Sequence, residues 1–243
     1  MARKVYVIGL GPGGFGQLTL DAVEAMNSVD VFLVADSEGD QPDLIWRRSE
    51  LIRRHVKRNH RVITVLDPGS GRAGRLDEAM LATYSQILAG QGEEATIGFL
   101  VWGDPGTFDS VLRVVDALRA GLAIDVTVIP GVSAPQVLAA AHQITLNGAD
   151  GGVYLTSGGR LLRVYQPELG DVVVLDDEEF TCRGLVDEFP AVELYWGAYL
   201  GTPDQVLANG PLATVLPDLL RLREQLRSHH GWLQEIYLLR PGT

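Results

Sequence analysis

Thr96-Ile97-Gly98-Phe99-Leu100-Val101-Trp102-Gly103-Asp104-Pro105-Gly106-Thr107-Phe108-Asp109-Ser110 reads as an apolar strand that stops on Gly-Asp-Pro and then enters a helix. Proline cannot continue a strand ladder, and glycine lets backbone approach a ligand closely. Thr107, Asp109 and Ser110 can satisfy or charge-complement the first free amides of the helix that follows. In an open α/β sheet, ligands bind at the carboxyl ends of such strands. Taken alone, an ordinary strand-to-helix turn would read the same way. Two neighbours tip the balance: a glycine-rich loop near the start of the chain and a Pro-Gly-Val-Ser-Ala turn after the next strand.

Working outward, Val5-Tyr6-Val7-Ile8 is a β-branched run that leads into Gly9-Leu10-Gly11-Pro12-Gly13-Gly14-Phe15-Gly16. Helical spacing over 18–26 follows, and then a buried strand over 31–35 that ends on Asp36, completing a βαβ unit. A helix is expected over 43–61. Its polar face carries Arg47, Arg48, Arg53, Arg54, Lys57, Arg58 and Arg61 against one acid, Glu50, so seven of the 20 Lys and Arg fall within fifteen residues. A strand over 62–66, a Gly- and Arg-bearing loop over 68–75 and a helix over 76–88 come next. Beyond the central strand lie a helix over 110–120, a strand over 126–129 and a helix over 135–142. Alternating strands and helices imply a mostly parallel sheet covered on both faces.

The stretch 146–152 is rich in Gly, Asn and Asp and marks the expected domain boundary, giving an α/β domain over 1–147 and an α+β domain over 148–243. In the second, strands are expected over 153–155, 172–175, 192–196, 210–215 and 236–239, with a helix over 216–228. Fewer long helices point to a more antiparallel sheet there.

The bulk properties narrow the classes. At 243 residues the chain can bury a sizeable core, and 46% hydrophobic with 21% charged residues is ordinary for a globular protein. A formal net charge of −11 argues against nucleic acid, which calls for a basic surface. The single cysteine, Cys182, excludes an internal disulfide and suits a reducing cytosol. No apolar run reaches membrane-spanning length, and the chain passes from Met1-Ala2-Arg3-Lys4 directly into a strand. A cytoplasmic protein with no membrane partner is expected.

Several chemistries compete. Gly9-x-Gly11-x-x-Gly14 with Asp36 at the end of the next strand fits a dinucleotide-binding fingerprint, and so a nicotinamide-dependent oxidoreductase. Pro12, the extra glycines and a helix that starts only near Gln17 weigh against it. The histidines show no metal-ligand spacing, so no metal site is expected. Ser133 has no nucleophile-elbow context. The basic helix is either a solvated face or a site that attracts a polycarboxylate ligand, where arginine forks match carboxylate geometry.

Three elements stand in order: Gly9-Leu10-Gly11-Pro12-Gly13 with Leu18-Thr19, Trp102-Gly103-Asp104-Pro105, and Val128-Ile129-Pro130-Gly131-Val132-Ser133-Ala134. Together they resemble the tetrapyrrole methylases, S-adenosylmethionine-dependent enzymes of cobalamin and sirohaem synthesis. Tyr195-Trp196-Gly197-Ala198-Tyr199-Leu200-Gly201-Thr202-Pro203-Asp204 and His230-Gly231-Trp232 sharpen the likeness. They resemble the branch that methylates C-1 of precorrin-5 and releases its acetyl group as acetate. The resemblance implies two α/β domains with the cofactor folded into the cleft between them, usually in a homodimer. By the same likeness, cofactor contacts fall on Pro12, Val101, Trp102, Gly103, Asp104, Thr107, Ser133 and Ala134, and from the second domain on Leu175 and Ala198. Substrate contacts are expected on Gly11 and Gly13 and, from the basic charge of their helix, on Arg47, Arg53 and Arg54, which would serve the acetate and propionate arms of precorrin-5. Asp36 matches the acid that acts as proton acceptor, with Asp104 as second candidate. One departure stands out: many relatives read Gly-Pro-Gly-Asp, whereas Gly14 and Phe15 follow Gly13 here.

Methyl transfer from a sulfonium needs in-line approach at a desolvated carbon rather than a protein nucleophile. Proximity and orientation can supply on the order of 7–11 kcal/mol at best. Loss of the acetyl group needs water to attack a ketone carbon, and a base should assist.

Overall fold

The computed structural model describes residues 2–37, 42–67, 78–148 and 151–242; the 68–75 loop lies outside them, as do two residues of the expected boundary segment. The chain divides into two compact units, Met1–Ser133 and Ala134–Thr243.

In the first unit, the three inner strands of a five-stranded sheet carry near-continuous apolar runs, as both faces of the sheet are covered there. The five strands are β1 (Arg3–Gly9), β2 (Val31–Ser37), β3 (Arg61–Asp67), β4 (Ile97–Val101) and β5 (Ile124–Ile129). They pair in the order β3-β2-β4-β1-β5, all parallel. The central strand β4 is buried at every residue. Alternation along the strands splits the core in two. Val5, Val7, Leu33 and Phe99 face α3 (Glu78–Ala89) and α4 (Val111–Arg119), while Ile8, Phe32, Val34 and Leu100 face α1 (Leu20–Met26) and α2 (Pro42–His55).

Two helices begin or end away from their expected places. Helix α1 starts at Leu20, because Thr19 accepts the Ala22 amide at 3.1 Å and caps it. A short 3-10 turn, Phe15–Gln17, precedes it, closed by Gln17 Oε1 accepting the Gly14 amide at 2.8 Å. Helix α2 ends at His55 rather than 61. Val56 turns inward and is buried, and the Lys57 amide donates to Asn27 Oδ1 at 2.9 Å instead of continuing the ladder. Lys57, Arg58 and Arg61 therefore leave the helix; Arg58 pairs with Asp30 and Arg61 donates to Gln91.

The second unit holds α5 (Ala134–His142), β6 (Val153–Ser157), α6 (Gly158–Val164), β7 (Asp171–Leu175), β8 (Glu193–Ala198), β9 (Val206–Pro211), α7 (Leu212–His230) and β10 (Glu235–Arg240). Its sheet runs β6-β7-β10-β8-β9. Only β6 and β7 pair in parallel; β10 lies antiparallel to both β7 and β8, and β8 to β9. The expected antiparallel bias of this half is present. The unit starts one helix before the 146–152 segment, because Leu138 of α5 is buried with Val173, Ile236 and Leu238 of this sheet.

The strand expected over 210–215 is instead the end of β9 and the start of α7. Gly210 sits at φ +141°, Pro211 cannot extend the ladder, and the buried Leu212 sends its amide to Val192 O at 2.7 Å. Helix α7 runs on to Gly231, whose left-handed φ of +76° and amide bond to Arg227 O close it.

The unit is pinned by charges the sequence could not pair. Arg223 and Glu235, with side chains 7% and 5% exposed, form an ion pair, and the same carboxylate accepts the Trp196 indole at 2.7 Å. Tyr237 and Thr181 both donate to the buried Asp177. Burial pushes the thiol of Cys182 up, which leaves it an inert core residue. No helix among the described residues is long and apolar enough to cross a membrane.

Candidate active site

Three strands of the first unit end on or beside glycine: Gly9 closes β1, Gly103 follows β4 by one residue beyond Trp102, and Gly131 follows β5. Their backbones touch. A Cβ on Gly9 would lie 2.5 Å from Gly131 N and 2.8 Å from Gly103 O; one on Gly131 would lie 2.1 Å from Gly103 O. No residue with a side chain fits at Gly9 or Gly131. The sequence signal for this floor is a glycine after each of three separate strands.

A short antiparallel bridge ties the first loop to the central turn. Gly103 donates to Gly11 O at 2.8 Å and Gly11 to Gly103 O at 3.2 Å, while Leu10 donates to Val101 O at 2.8 Å. Gly11 and Gly103 both adopt left-handed φ, +76° and +70°, which any other residue would reach only with strain. Pro12, Gly13 and Gly14 are buried beside Gly11.

Asp104 holds the floor together. Its Oδ1 accepts the Gly106 amide at 2.8 Å and its Oδ2 accepts the Gly131 amide at 3.0 Å, so one carboxylate joins the turn after β4 to the turn after β5. The Thr107 amide donates to Asp104 O at 3.0 Å and continues the turn. Asp109 rather than Ser110 caps α4, accepting the Val111 amide at 2.6 Å, and burial raises its carboxyl above the ordinary range. Above this floor the side-chain space at Gly103 is open: a Cβ there would meet nothing within 4 Å. Bare backbone beside open space is what a ligand needs in order to lie against main chain.

Other expected site residues sit around this floor or elsewhere. Val101 is buried at the end of β4, and Trp102 packs against the cluster of Ile8, Leu10, Phe32 and Leu51. The buried Arg48 places its guanidinium 5.4 Å from the Trp102 ring centroid, a contact no local pattern announced. Asp36 is the penultimate residue of β2, and the side chains at 35–37 lie outside those described. Ser133 ends the first unit and Ala134 opens α5 of the second. Within the second unit Leu175, at the end of β7, packs with Ala134 against Leu138 and Leu200, and Ala198 is buried at the end of β8. Beyond Ala198, Tyr199 takes φ +49° and is braced by its hydroxyl on Trp232 O at 2.6 Å.

Arg53 and Arg54 are not loose. Arg53 grips Glu50 with two bonds of 2.7 and 2.6 Å, and Arg54 Nε donates to the same carboxylate at 2.7 Å. Hydrogen bonds from Arg53 and then Arg54 hold the Glu50 carboxyl down to about 2. Arg47 lies about two turns before Arg53 and Arg54 on the same helix. Arg54 also lies over Phe15, its guanidinium carbon 4.0 Å from the ring centroid, and Phe15 meets Trp46 edge-on at 5.9 Å.

The sequence profile of the tetrapyrrole (corrin/porphyrin) methylases matches residues 4–216. The chain is 35% identical to a precorrin-6A synthase [deacetylating] from Sinorhizobium sp, over 99% of this chain and 96% of that one. Among solved structures, a cobalamin-synthesis-related protein (CobF) from Corynebacterium diphtheriae superposes with a TM-score of 0.88 at 30% identity, covering 100% of both chains. A uroporphyrin-III C-methyltransferase from Thermus thermophilus shares the fold at 20% identity and a TM-score of 0.68, over 99% and 93% of the two chains.

Proposed function

Because the chain belongs to the tetrapyrrole methylase family, we propose that it transfers a methyl group from S-adenosylmethionine to C-1 of precorrin-5 and releases the acetyl group as acetate. The observation that carries this reading is the likeness, over nearly the full length of both chains, to a precorrin-6A synthase [deacetylating]. The site geometry supports it: three strand ends are stripped of side chains, and open space lies over Gly103.

The bound cofactor would supply an electrophilic methyl on its sulfonium. Pro12, and Val101 to Asp104 with Thr107, would hold it, with Ser133, Ala134, Leu175 and Ala198 completing the set, while Gly11 and Gly13 would meet the substrate. These residues orient and do not react. Bonds between backbone and Asp104 keep the floor rigid, so positioning is established before the substrate arrives. Trp102 adds an apolar wall that keeps water from the methyl's path. Deacetylation is a separate task. Water adds to the ketone carbon, its proton goes to a base, and the bond to the ring carbon breaks, its electron pair passing into the macrocycle as acetate leaves. Asp36 is the proposed base, since Asp104 already spends each oxygen on an amide.

Working in the cytoplasm as a homodimer, the enzyme would meet a soluble polycarboxylate; the acidic net charge supports neither nucleic acid nor membrane as a partner. Mass spectrometry after incubation with S-adenosylmethionine and enzymatically prepared precorrin-5 tests the reading. The expected product has gained one methyl and lost the two-carbon acetyl unit. A product that gains methyl but keeps acetyl would leave a methylase and remove the deacetylating step.

A further inference from the structure

Where many relatives carry a carboxylate directly after Gly-Pro-Gly, this chain has Gly14 and then Phe15, and the structure shows what surrounds Phe15. Phe15 sits at the rim of the glycine loop, half-buried against the cluster of Leu51 and Ile52. Trp46, on the first turns of α2, stands edge-on to it and is 55% exposed. Arg54 covers the Phe15 face and is held at Nε by Glu50. Its two terminal amino groups make no hydrogen bond among the described residues, so their donors stay available. Arg53, by contrast, spends Nε and one terminal amine on Glu50.

We propose that Phe15, Trp46 and Arg54 form the platform that recognises the macrocyclic substrate, with Arg54 taking one carboxylate arm and Trp46 taking apolar ring surface; this rests on the methylase reading above. The chemistry is matched. A guanidinium stacked on an aromatic and anchored at Nε is already ordered, so little rotamer entropy is lost when it forks onto a carboxylate. An exposed indole beside it offers stacking area to a flat, partly apolar ring. Two arginines share the single Glu50 carboxylate, so the cluster keeps an excess positive charge. An anionic loop residue at this position would repel the arms that Arg54 attracts. Glu50 is a positioning residue here: it aims Arg54 and touches no substrate.

Two measurements test the platform. The first is KM and kcat for precorrin-5 in R54A, R54K, W46A and E50Q. The second is equilibrium binding of uroporphyrin III, an unreactive polycarboxylate macrocycle, with binding of S-adenosylhomocysteine as the check on folding. R54A should raise KM and weaken uroporphyrin binding by about tenfold or more, the loss of one charge-assisted contact. R54K should recover little because it lacks the fork, E50Q should show a smaller shift in the same direction, and kcat and S-adenosylhomocysteine affinity should hold. Uroporphyrin affinity and KM in R54A and W46A equal to those of the unmodified protein would overturn the platform, as would failure of the unmodified protein to bind uroporphyrin. If precorrin-5 is not turned over but uroporphyrin binding depends on Arg54, the reaction assignment falls and the platform stands.

Discussion

At Gly131 an added methyl would sit 2.1 Å from Gly103 O and 2.9 Å from the Gly9 Cα, both main-chain atoms that cannot swing aside. G131A should therefore push the turn after β5 away from Asp104 and break the bond from its amide to Oδ2. Overpacking at such a contact costs about 1–3 kcal/mol or more. Urea unfolding should show that loss together with weaker S-adenosylhomocysteine binding, whereas G121A, where a Cβ meets nothing within 4 Å, should stay within about 0.5 kcal/mol of the parent. Equal stability of the two variants would mean the strand ends can separate freely. At this scale Gly11, Gly103 and Asp104 were legible, because Gly-Asp-Pro and the glycine loop are local patterns. Gly131 was legible only as part of a turn. One of its partners in the packing, Gly9, is more than a hundred residues away along the chain, and no window of sequence reports that distance.

The helix α2 is the element whose reading changed most. Seen as a sequence it is a long basic stripe; in the structure it ends six residues early, and Glu50 and two of its arginines form one brace. The brace has a defined pH window. Glu50 ordinarily titrates at 4.5 and is lowered to about 2, so its contribution is complete above 4.5 and lost as pH falls from 4.5 toward 2. A carbon-detected NMR titration should place the Glu50 carboxyl midpoint near 2 and return it toward 4.5 in R53A/R54A. A midpoint that stays low without the arginines would assign the shift to another cause. The strands β1 to β5 fell where β-branched runs placed them, since a covered parallel sheet demands continuous apolar sequence. Helix α6 and the start of α7 did not. Gly158 and Gly159 open α6, and Pro217 lies inside α7, so propensity pointed away from helix at both. Packing overrode it: Leu161 and Leu219 are both buried in the second unit's core.

On the scale of the whole molecule, a net charge of −11 opposes any polyanionic substrate, while the arginines of α2 attract one. The two influences differ in range. At 0.1 M salt, fields from exposed charges fade over about 10 Å, so a nearby guanidinium outweighs the distant acidic surface. The sign of the salt dependence separates them. With α2 in control, KM for precorrin-5 should rise with added salt, and R47A/R54A should raise KM at low salt and flatten the slope. A KM that falls with salt in the unmodified protein would give control to the global charge instead. The two-unit plan and the mixed second sheet were readable from element spacing, but the Arg223–Glu235 and Asp177–Tyr237 contacts were not, as they join residues brought together only by the fold. The glycine floor has one more consequence, for anyone who would redirect this protein to a new acceptor. Because Gly9, Gly103 and Gly131 brace one another, none of the three loops that carry them can be lengthened or exchanged alone. Retargeting has to begin at the rim, at Phe15 and Trp46, where variation leaves the scaffold beneath untouched.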